Sequence, residues 1–144
     1  MQIPRSLTVA ECWQHVGSRG VGRIGFDAGS GPRIHPVDYS CDGSDVYIRT
    51  ASTSELARFT RIFARGGVVA FETDQLEASR GECWSVLISG FVMNAGKAHD
   101  ESGRWPSPTP GGDHDCLIRL RPRQVTGRGL TASVPSSVRA DSTR

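Results

Sequence analysis

Apolar and polar residues alternate over short segments along most of the chain, and this pattern predicts β-strands. In residues 46–50, for example, Val46 and Ile48 face one way, and Tyr47 and Arg49 face the other. The predicted strands are residues 21–26, 33–41, 45–50, 68–74, 83–93 and 116–121, with a short continuation at 124–130.

Individual residues refine the expectation for two of these strands. Pro36 cannot donate to a sheet ladder, so it marks an edge, a bulge or a break in the second strand. Residues 84–88 are nearly apolar throughout, which is typical of a strand buried on both faces. Gly90, in the same strand, permits a bulge or a bend.

Two segments have the helical spacing of apolar residues instead. The first runs from Thr8 to about residue 19, and Thr8 with Glu11 predicts a capping box at its start. The second covers residues 54–65, and Ser52 three residues before Glu55 predicts a capping box there.

These elements predict an α+β fold, mainly antiparallel, in which six or seven short strands form a small barrel accompanied by two or three short helices. A length of 144 residues fits one domain, and we assign residues 1–130 to it. Residues 131–144 have no apolar periodicity and predict a disordered tail. The Pro- and Gly-rich residues 97–115 predict a surface loop.

Charge, apolar segment lengths and cysteine spacing limit the binding partners and the compartment that we expect for this protein. The formal net charge is only +2, so charge does not call for nucleic acid or an anionic membrane. No segment reaches the length of a membrane span, and the first residues lack the pattern of a signal peptide. The four cysteines are widely spaced, and we interpret them as reduced thiols of a cytoplasmic protein. They are Cys12, Cys41, Cys83 and Cys116.

The spacing of histidine and cysteine supports neither a metal site nor a nucleophile. Cys12 with His15, and His114 with Cys116, fit no zinc pattern. Cys12 also lies on the apolar stripe of the first helix, where a thiol is inert. We therefore predict no metal site.

The junction between the third strand and the second helix predicts an anion site. The strand ends at Arg49 and Thr50, and the helix begins shortly afterwards. The first N–H groups of a helix lack partners, its dipole is positive there, and an arginine can contact a phosphate with two hydrogen bonds. The alternative is an ordinary strand-to-helix turn whose Arg49 is solvated or pairs with a carboxylate.

Taken together, several short segments resemble the pyridoxamine-phosphate-oxidase-like family of FMN-binding split barrels. Their order and spacing carry the resemblance, which runs from about residue 11 to residue 130. The segments are residues 22–26 (GRIGF), 35–39 (HPVDY), 47–50 (YIRT), 69–74 (VAFETD), 84–90 (WSVLISG) and 125–128 (VTGR).

The resemblance implies a split β-barrel that forms a homodimer, with a flavin bound between the two chains. The isoalloxazine ring would lie beside Pro36 and Val37, and the phosphate or ribityl chain near the end of the third strand. The partner subunit would supply Trp84 and Ser85 at the rim, which Arg128 closes. The implied cofactor-binding residues are Pro36, Val37, Arg49, Thr50, Ser52, Ser54, Arg58, Trp84, Ser85 and Arg128.

One residue departs from the family's pattern. Glu55 stands where relatives usually place a phosphate-binding lysine, and a carboxylate at the helix start repels a phosphate at short range. Either Arg58 or Arg61 replaces the lysine, or the chain prefers another ligand, such as a deazaflavin or haem. His35 either lies near the flavin ring or is a satisfied histidine on a barrel face.

The expected function is therefore an FMN- or deazaflavin-dependent oxidoreductase that acts on a small molecule. The cofactor would carry the hydride or electron chemistry, and the sequence identifies no catalytic side chain. The alternative is a carrier or sensor of flavin, deazaflavin or haem that uses the same fold without catalysis.

Overall fold

Seven strands and two helices make up the computed structural model, which describes residues 2–63, 66–97 and 115–132. In chain order these are β1 (Gln2–Ser6), α1 (Val9–Val16), β2 (Arg19–Asp27), β3 (Pro32–Cys41), β4 (Val46–Thr50), α2 (Glu55–Ile62), β5 (Gly67–Gln75), β6 (Cys83–Lys97) and β7 (Cys116–Ala132), with a 3₁₀ turn at Ala78–Arg80.

The strands form a closed antiparallel barrel. Their order is β7–β4–β3–β2–β5–β6, and β6 pairs again with β7, which closes the six strands into a ring. β1 adds to the far end of β7 as a seventh strand. This arrangement confirms the predicted α+β barrel with short helices.

Alternation along each strand fills the barrel interior. In β5, Val69 and Phe71 are buried while Val68 is 60% exposed. The same alternation in β6 corrects one prediction, because Val86 and Ile88 are fully buried but Leu87 between them is 47% exposed. β6 is therefore buried on one face only, since its other face lies on the outside of the barrel.

The ends of the helices are set by local side chains. Thr8 caps α1, with Glu11 N–H donating to Thr8 Oγ1 and Thr8 N–H donating to Glu11 Oε1, both at 3.1 Å. The predicted capping box is thus confirmed for α1. For α2 the prediction was wrong, because the N-cap is Ser54, whose Oγ accepts from Ala57 N–H at 3.0 Å.

Glycine and proline positions agree with their expected roles. The ladder between β6 and β7 shifts register between Ser89 and Gly90, which confirms the predicted bulge. Pro36 does not break β3; residues 32–38 pair only with β2, and β4 joins β3 from Tyr39 onward. Of the three alternatives for Pro36, the structure shows the edge.

β1 and β7 differ most from the predictions, and α1 also ends at Val16 rather than near residue 19. β1 was not predicted, and it is held by pairing with β7, for example Pro4 with Leu130. β7 is one strand rather than two pieces, and it continues through Pro122 to Ala132. Most of the predicted loop (98–114) and of the predicted tail (133–144) lies outside the described residues. Neither helix in the described part of the chain has the length and apolar composition needed to cross a bilayer.

Candidate functional site

β3 continues past the end of its pairing with β4, and we call the gap beside residues 32–38 the opening. Over residues 32–38, β3 is paired with β2 on one side, while β4 reaches only Tyr39–Cys41 on the other. The backbone groups on that other side of residues 32–38 make no ladder with a described strand. A strand edge of this kind offers N–H donors and C=O acceptors to the polar rim of a ligand ring.

The end of β4 and the start of α2 lie beside this opening and are connected by hydroxyl groups. Thr50 Oγ1 donates to Ser54 Oγ at 2.8 Å, and Ser54 Oγ in turn accepts from Ala57 N–H. Ser54 therefore already satisfies one of the orphan donors of α2. A ligand phosphate at this helix start would have to share or displace that contact.

The turn before α2 holds a carboxylate of the protein itself. Ser52 N–H donates to Asp115 Oδ1 at 2.9 Å, and Arg61 Nη1 donates to the Ser52 carbonyl at 2.9 Å. Ser52 thus takes part through its backbone, and the anion it binds is a side chain rather than a ligand. Of the two arginines that the sequence offered as a replacement for lysine, Arg61 has a structural partner here.

Glu55, the first residue of α2, points back to β3. Its carboxylate lies 3.3 Å from Arg33 Nε and 4.0 Å from His35 Nε2. The His35 ring meets Phe26 edge-on, with ring centroids 5.1 Å apart. His35 therefore packs against Phe26 and lies beside Glu55 at the opening, and both alternatives for it stay predictions.

The predicted residues on β3 and β4 do not all face the same way. Pro36 is exposed on the outside of the barrel, whereas Val37 packs against the core. Alternation likewise places Arg49 and Thr50 on opposite faces of β4. Thr50 joins the Ser54 contact, and the structure does not bring Arg49 to that side, so its role as the phosphate anchor stays a prediction.

Arg58 lies on α2 one turn after Ser54. It borders a cavity of about 200 Å³ together with Glu55 and Phe59. Because a guanidinium gives charge-assisted hydrogen bonds to phosphate, Arg58 could hold an anionic ligand at this end of the opening.

A second group of predicted residues lies on β6 and β7. Ser85 and Arg128 are directly paired across the ladder, and both line a cavity of about 510 Å³ that Leu7 and Gly127 also border. Trp84, beside Ser85, stacks on His15 of α1 with ring centroids 4.7 Å apart and planes 22° apart. The sequence missed this stacking, because helix spacing places His15 on α1 but does not show which strand α1 covers.

The two groups are far apart within one chain. In one direction around the ring, β2 and β5 lie between β3 and β6. In the other direction β4 is next to β7, but it pairs only with residues 116–120, and Arg128 lies eight residues further along β7, about 27 Å at the usual strand rise. The two groups are therefore separated within one chain. The surface between them is the outer face of β2, β5 and β6. Gly25, Ala70 and Ser89 form a row of small residues across it.

Large apolar residues border this outer face. Ile34 pairs with Gly25, and Val68 pairs with Phe91; their exposed fractions are 72%, 60% and 36% for Ile34, Val68 and Phe91. Exposed apolar groups collected around a flat row of small residues are typical of a protein–protein contact surface.

The cysteines are free thiols, and Cys12, Cys83 and Cys116 are buried. Burial raises the pKa of the Cys12 thiol, and the nearby Glu11 carboxylate adds to this, which agrees with an inert thiol on the apolar stripe. Over residues 2–63, 66–97 and 115–132, no three His, Cys, Asp or Glu side chains come together as metal ligands would. His114 lies outside these ranges.

The chain is similar to known proteins both in sequence and in fold. It is 29% identical over 114 residues to the uncharacterized protein Rv0080 of Mycobacterium tuberculosis, which covers 77% of this chain and 75% of that protein. The fold is similar to that of an FAD-binding protein of Mycobacterium smegmatis, at a TM-score of 0.62 and 24% identity over 90% of this chain and 100% of the other.

It is also similar to that of an FAD-binding protein of Mesorhizobium loti, at a TM-score of 0.67 and 18% identity over 92% of this chain and 100% of the other. The family model described as pyridoxamine 5'-phosphate oxidase matches residues 8–129. Because this match extends from the N-cap of α1 almost to the end of β7, the protein belongs to the pyridoxamine 5'-phosphate oxidase family.

Proposed function

We propose that this protein is a homodimeric flavin-dependent oxidoreductase whose cofactor binds between the two chains. The observation that carries the proposal is the separation of the two groups of site residues within one chain. The first group lines the free edge of β3 and the start of α2, and the second lies where the start of β6 pairs with the end of β7, eight residues along β7 from its pairing with β4. A two-fold axis through the outer face would bring the first group of one chain to the second group of its partner.

The chemistry of the first group fits a flavin. The free edge of β3 beside Val37 offers backbone donors and acceptors to the polar side of an isoalloxazine ring, and Arg58 offers a cation to a phosphate. When bound, the flavin supplies the hydride or electron transfer. The protein's residues bind and orient it and exclude water. The resemblance of the sequence indicates FMN, and the similarity to FAD-binding proteins supports a flavin more generally.

The free thiols of the four cysteines suit a reducing compartment, so the proposal places the protein in the cytoplasm.

Titration of the purified protein with riboflavin, FMN, FAD, a deazaflavin and haem tests the proposal, with cofactor fluorescence and absorbance as readouts. We expect a flavin to bind at micromolar concentrations and to be reduced and reoxidised while bound. Failure of every flavin to bind at tens of micromolar would contradict the proposal.

A pair of variants tests whether the site is shared between chains. R58Q removes a cation of the first group and R128Q one of the second, so each homodimer should bind flavin weakly. After subunit exchange, a mixed dimer has one intact site, and about a quarter of all sites should recover. A site contained in one chain would also lose binding in both variants, but mixing would restore nothing.

Glu55 favours the second candidate function, a carrier or sensor without catalysis. A carboxylate at the cofactor site disfavours the negative charge that a flavin gains on reduction, although Arg33 offsets part of it. A carrier would bind the cofactor but show no turnover with any electron donor. The E55Q variant would then raise the midpoint potential of the bound flavin.

A further inference from the structure

The cavity beside α2 is built from the turn between β2 and β3 and from one side of the helix. Phe59, Ile62 and Phe63 form its apolar wall, and the Phe59 and Phe63 rings are 4.8 Å apart. Ala28 and Gly29 of the turn form the opposite wall. The family resemblance concerns Glu55 and Arg58 at the mouth of this cavity, but it assigns no role to the residues of the two walls.

The size and lining of the cavity suit a single planar ring system. Its volume of about 200 Å³ is below the range of roughly 300–1,000 Å³ that holds a whole drug-sized ligand, so it accommodates part of a larger molecule. Aromatic and aliphatic walls stabilise a flat ring by contact with its faces. Because Ile62 and Phe63 are 66% and 48% exposed, a ring bound there would cover apolar surface that now contacts water.

The charged groups at the mouth indicate what the ring is attached to. In the described part of the chain, the Arg58 guanidinium makes no hydrogen bond or ion pair, so it is available to an anion. Glu55 is held by Arg33, which reduces its repulsion of that anion. Asp27 Oδ1 accepts from Gly29 N–H at 2.8 Å, and the carboxylate can still accept from an amino group on the ring.

The cavity also lies in line with the proposed flavin site. The free edge of β3 runs from Val37 to Arg33, a distance of about 13 Å at the usual strand rise, and Arg33 contacts Glu55 at the cavity mouth. A ribityl diphosphate linker can follow this edge. A mononucleotide whose ring lies at Val37 has no group that would enter the cavity.

We propose, on the basis of the proposed flavin-binding function, that this cavity binds the adenine of a flavin adenine dinucleotide. Phe59, Ile62 and Phe63 contact the base, Asp27 accepts from its amino group and Arg58 contacts the diphosphate. The cavity thereby selects the dinucleotide over FMN.

Titration of FAD and FMN into matched variants tests this selection. We expect the wild-type protein to bind FAD about tenfold more tightly than FMN, since the stacking of a base on an aromatic side chain is worth about that factor. A28L and I62W fill the cavity from opposite walls and should lower the affinity for FAD to that for FMN while leaving FMN binding unchanged. R80Q, which alters an exposed arginine paired with Glu77, should change neither affinity, and thermal melts check that each variant is folded.

ADP serves as a probe that does not depend on the flavin ring. Millimolar ADP should shift the amide NMR signals of Ala28, Gly29 and Ile62 in the wild-type protein but not in A28L. If these signals shift while no flavin binds, the cavity assignment stands and the proposed function fails. Equal affinities for FAD and FMN, or ADP shifts elsewhere in the protein, would overturn the cavity assignment even if a flavin binds.

Discussion

At the scale of single residues, local hydrogen bonds set the pKa of a carboxyl group, and Asp42 is the clearest case. It lies in the turn between β3 and β4 and accepts from the N–H groups of Ser44 and Asp45 and from the Tyr47 hydroxyl, at 2.9, 2.8 and 3.2 Å. Partial burial raises the pKa of Asp42, but these hydrogen bonds outweigh it and lower the pKa from 3.8 to about 2.

The Asp42 pKa leads to a pH dependence of stability. Because the pKa is lower in the folded state, the unfolded state binds the proton first, and the contribution of Asp42 is complete above about pH 4 and lost as the pH falls toward 2. The D42N side chain has no carboxylate to protonate, so its free energy of unfolding should fall less steeply between pH 4 and pH 2 than that of the wild type.

Urea denaturation at a series of pH values measures both slopes. Y47F, which removes one hydrogen bond to Asp42, should give an intermediate slope. Identical slopes for the wild type and D42N would rule this explanation out.

At the scale of elements, the start of α2 has two closely spaced serines, either of which could be the N-cap. Ser52 and Ser54 are both good N-cap residues, and the sequence pattern favoured Ser52 because Glu55 follows three residues later. In the structure, Ser52 uses its backbone to bind Asp115 and Arg61, and this leaves the cap to Ser54. The choice depends on Asp115, which is distant in sequence, so no local pattern could show it.

The two serines give a matched pair of variants. S54A removes the Oγ that accepts from Ala57 N–H and from Thr50 Oγ1, and it should lower the free energy of unfolding by about 1 kcal/mol. S52A keeps the backbone contacts and should change it by less than about 0.5 kcal/mol. Equilibrium denaturation in urea compares the two; an equal effect of both variants would be inconsistent with Ser54 as the cap.

The bulge in β6 is an element feature that the sequence did predict, since Gly90 interrupts an apolar strand. A Cβ on Gly90 would clash with the carbonyl oxygen of Arg121 on β7. We expect G90A to destabilise the protein by about 3 kcal/mol, at the upper end of the cost of overpacking. G25A is the control for packing within one chain, because a Cβ there would have only ordinary contacts inside the chain, at 3.8 Å from Ala70 O and Arg33 O. Thermal and urea denaturation of both variants would show the difference, and a stable G90A would mean that β6 and β7 can separate at the bulge at little cost.

At the scale of the whole molecule, the outer face of β2, β5 and β6 determines whether the proposed cofactor site can exist. A70R places a long cation in the centre of the row of small residues, where Ala70 pairs with Gly25 and Ser89. If this face joins two copies, the wild type should have the mass of two 15.5 kDa chains in solution and A70R the mass of one. A70R should also lose flavin binding, because it separates the two groups of site residues.

Light scattering after size exclusion measures these masses. E77R, a charge change at the N-cap of the exposed 3₁₀ turn, is the control and should stay dimeric. A monomeric wild type, or a dimeric A70R that still binds flavin, would show that the cofactor site does not depend on this face.

By itself, the sequence determined the features that depend on local chemistry. Alternation placed the six barrel strands, spacing placed both helices, Thr8 with Glu11 marked the start of α1, and Gly90 marked the bulge. Only the tertiary structure decided features that depend on residues distant in the chain. These are the pairing of β1 with β7, the choice of Ser54 over Ser52, the contact of Glu55 with Arg33 and the separation of the two groups of site residues. The reason is physical: periodicity records which side of an element is apolar, whereas the partner of a backbone edge or a charge depends on how the chain returns to it.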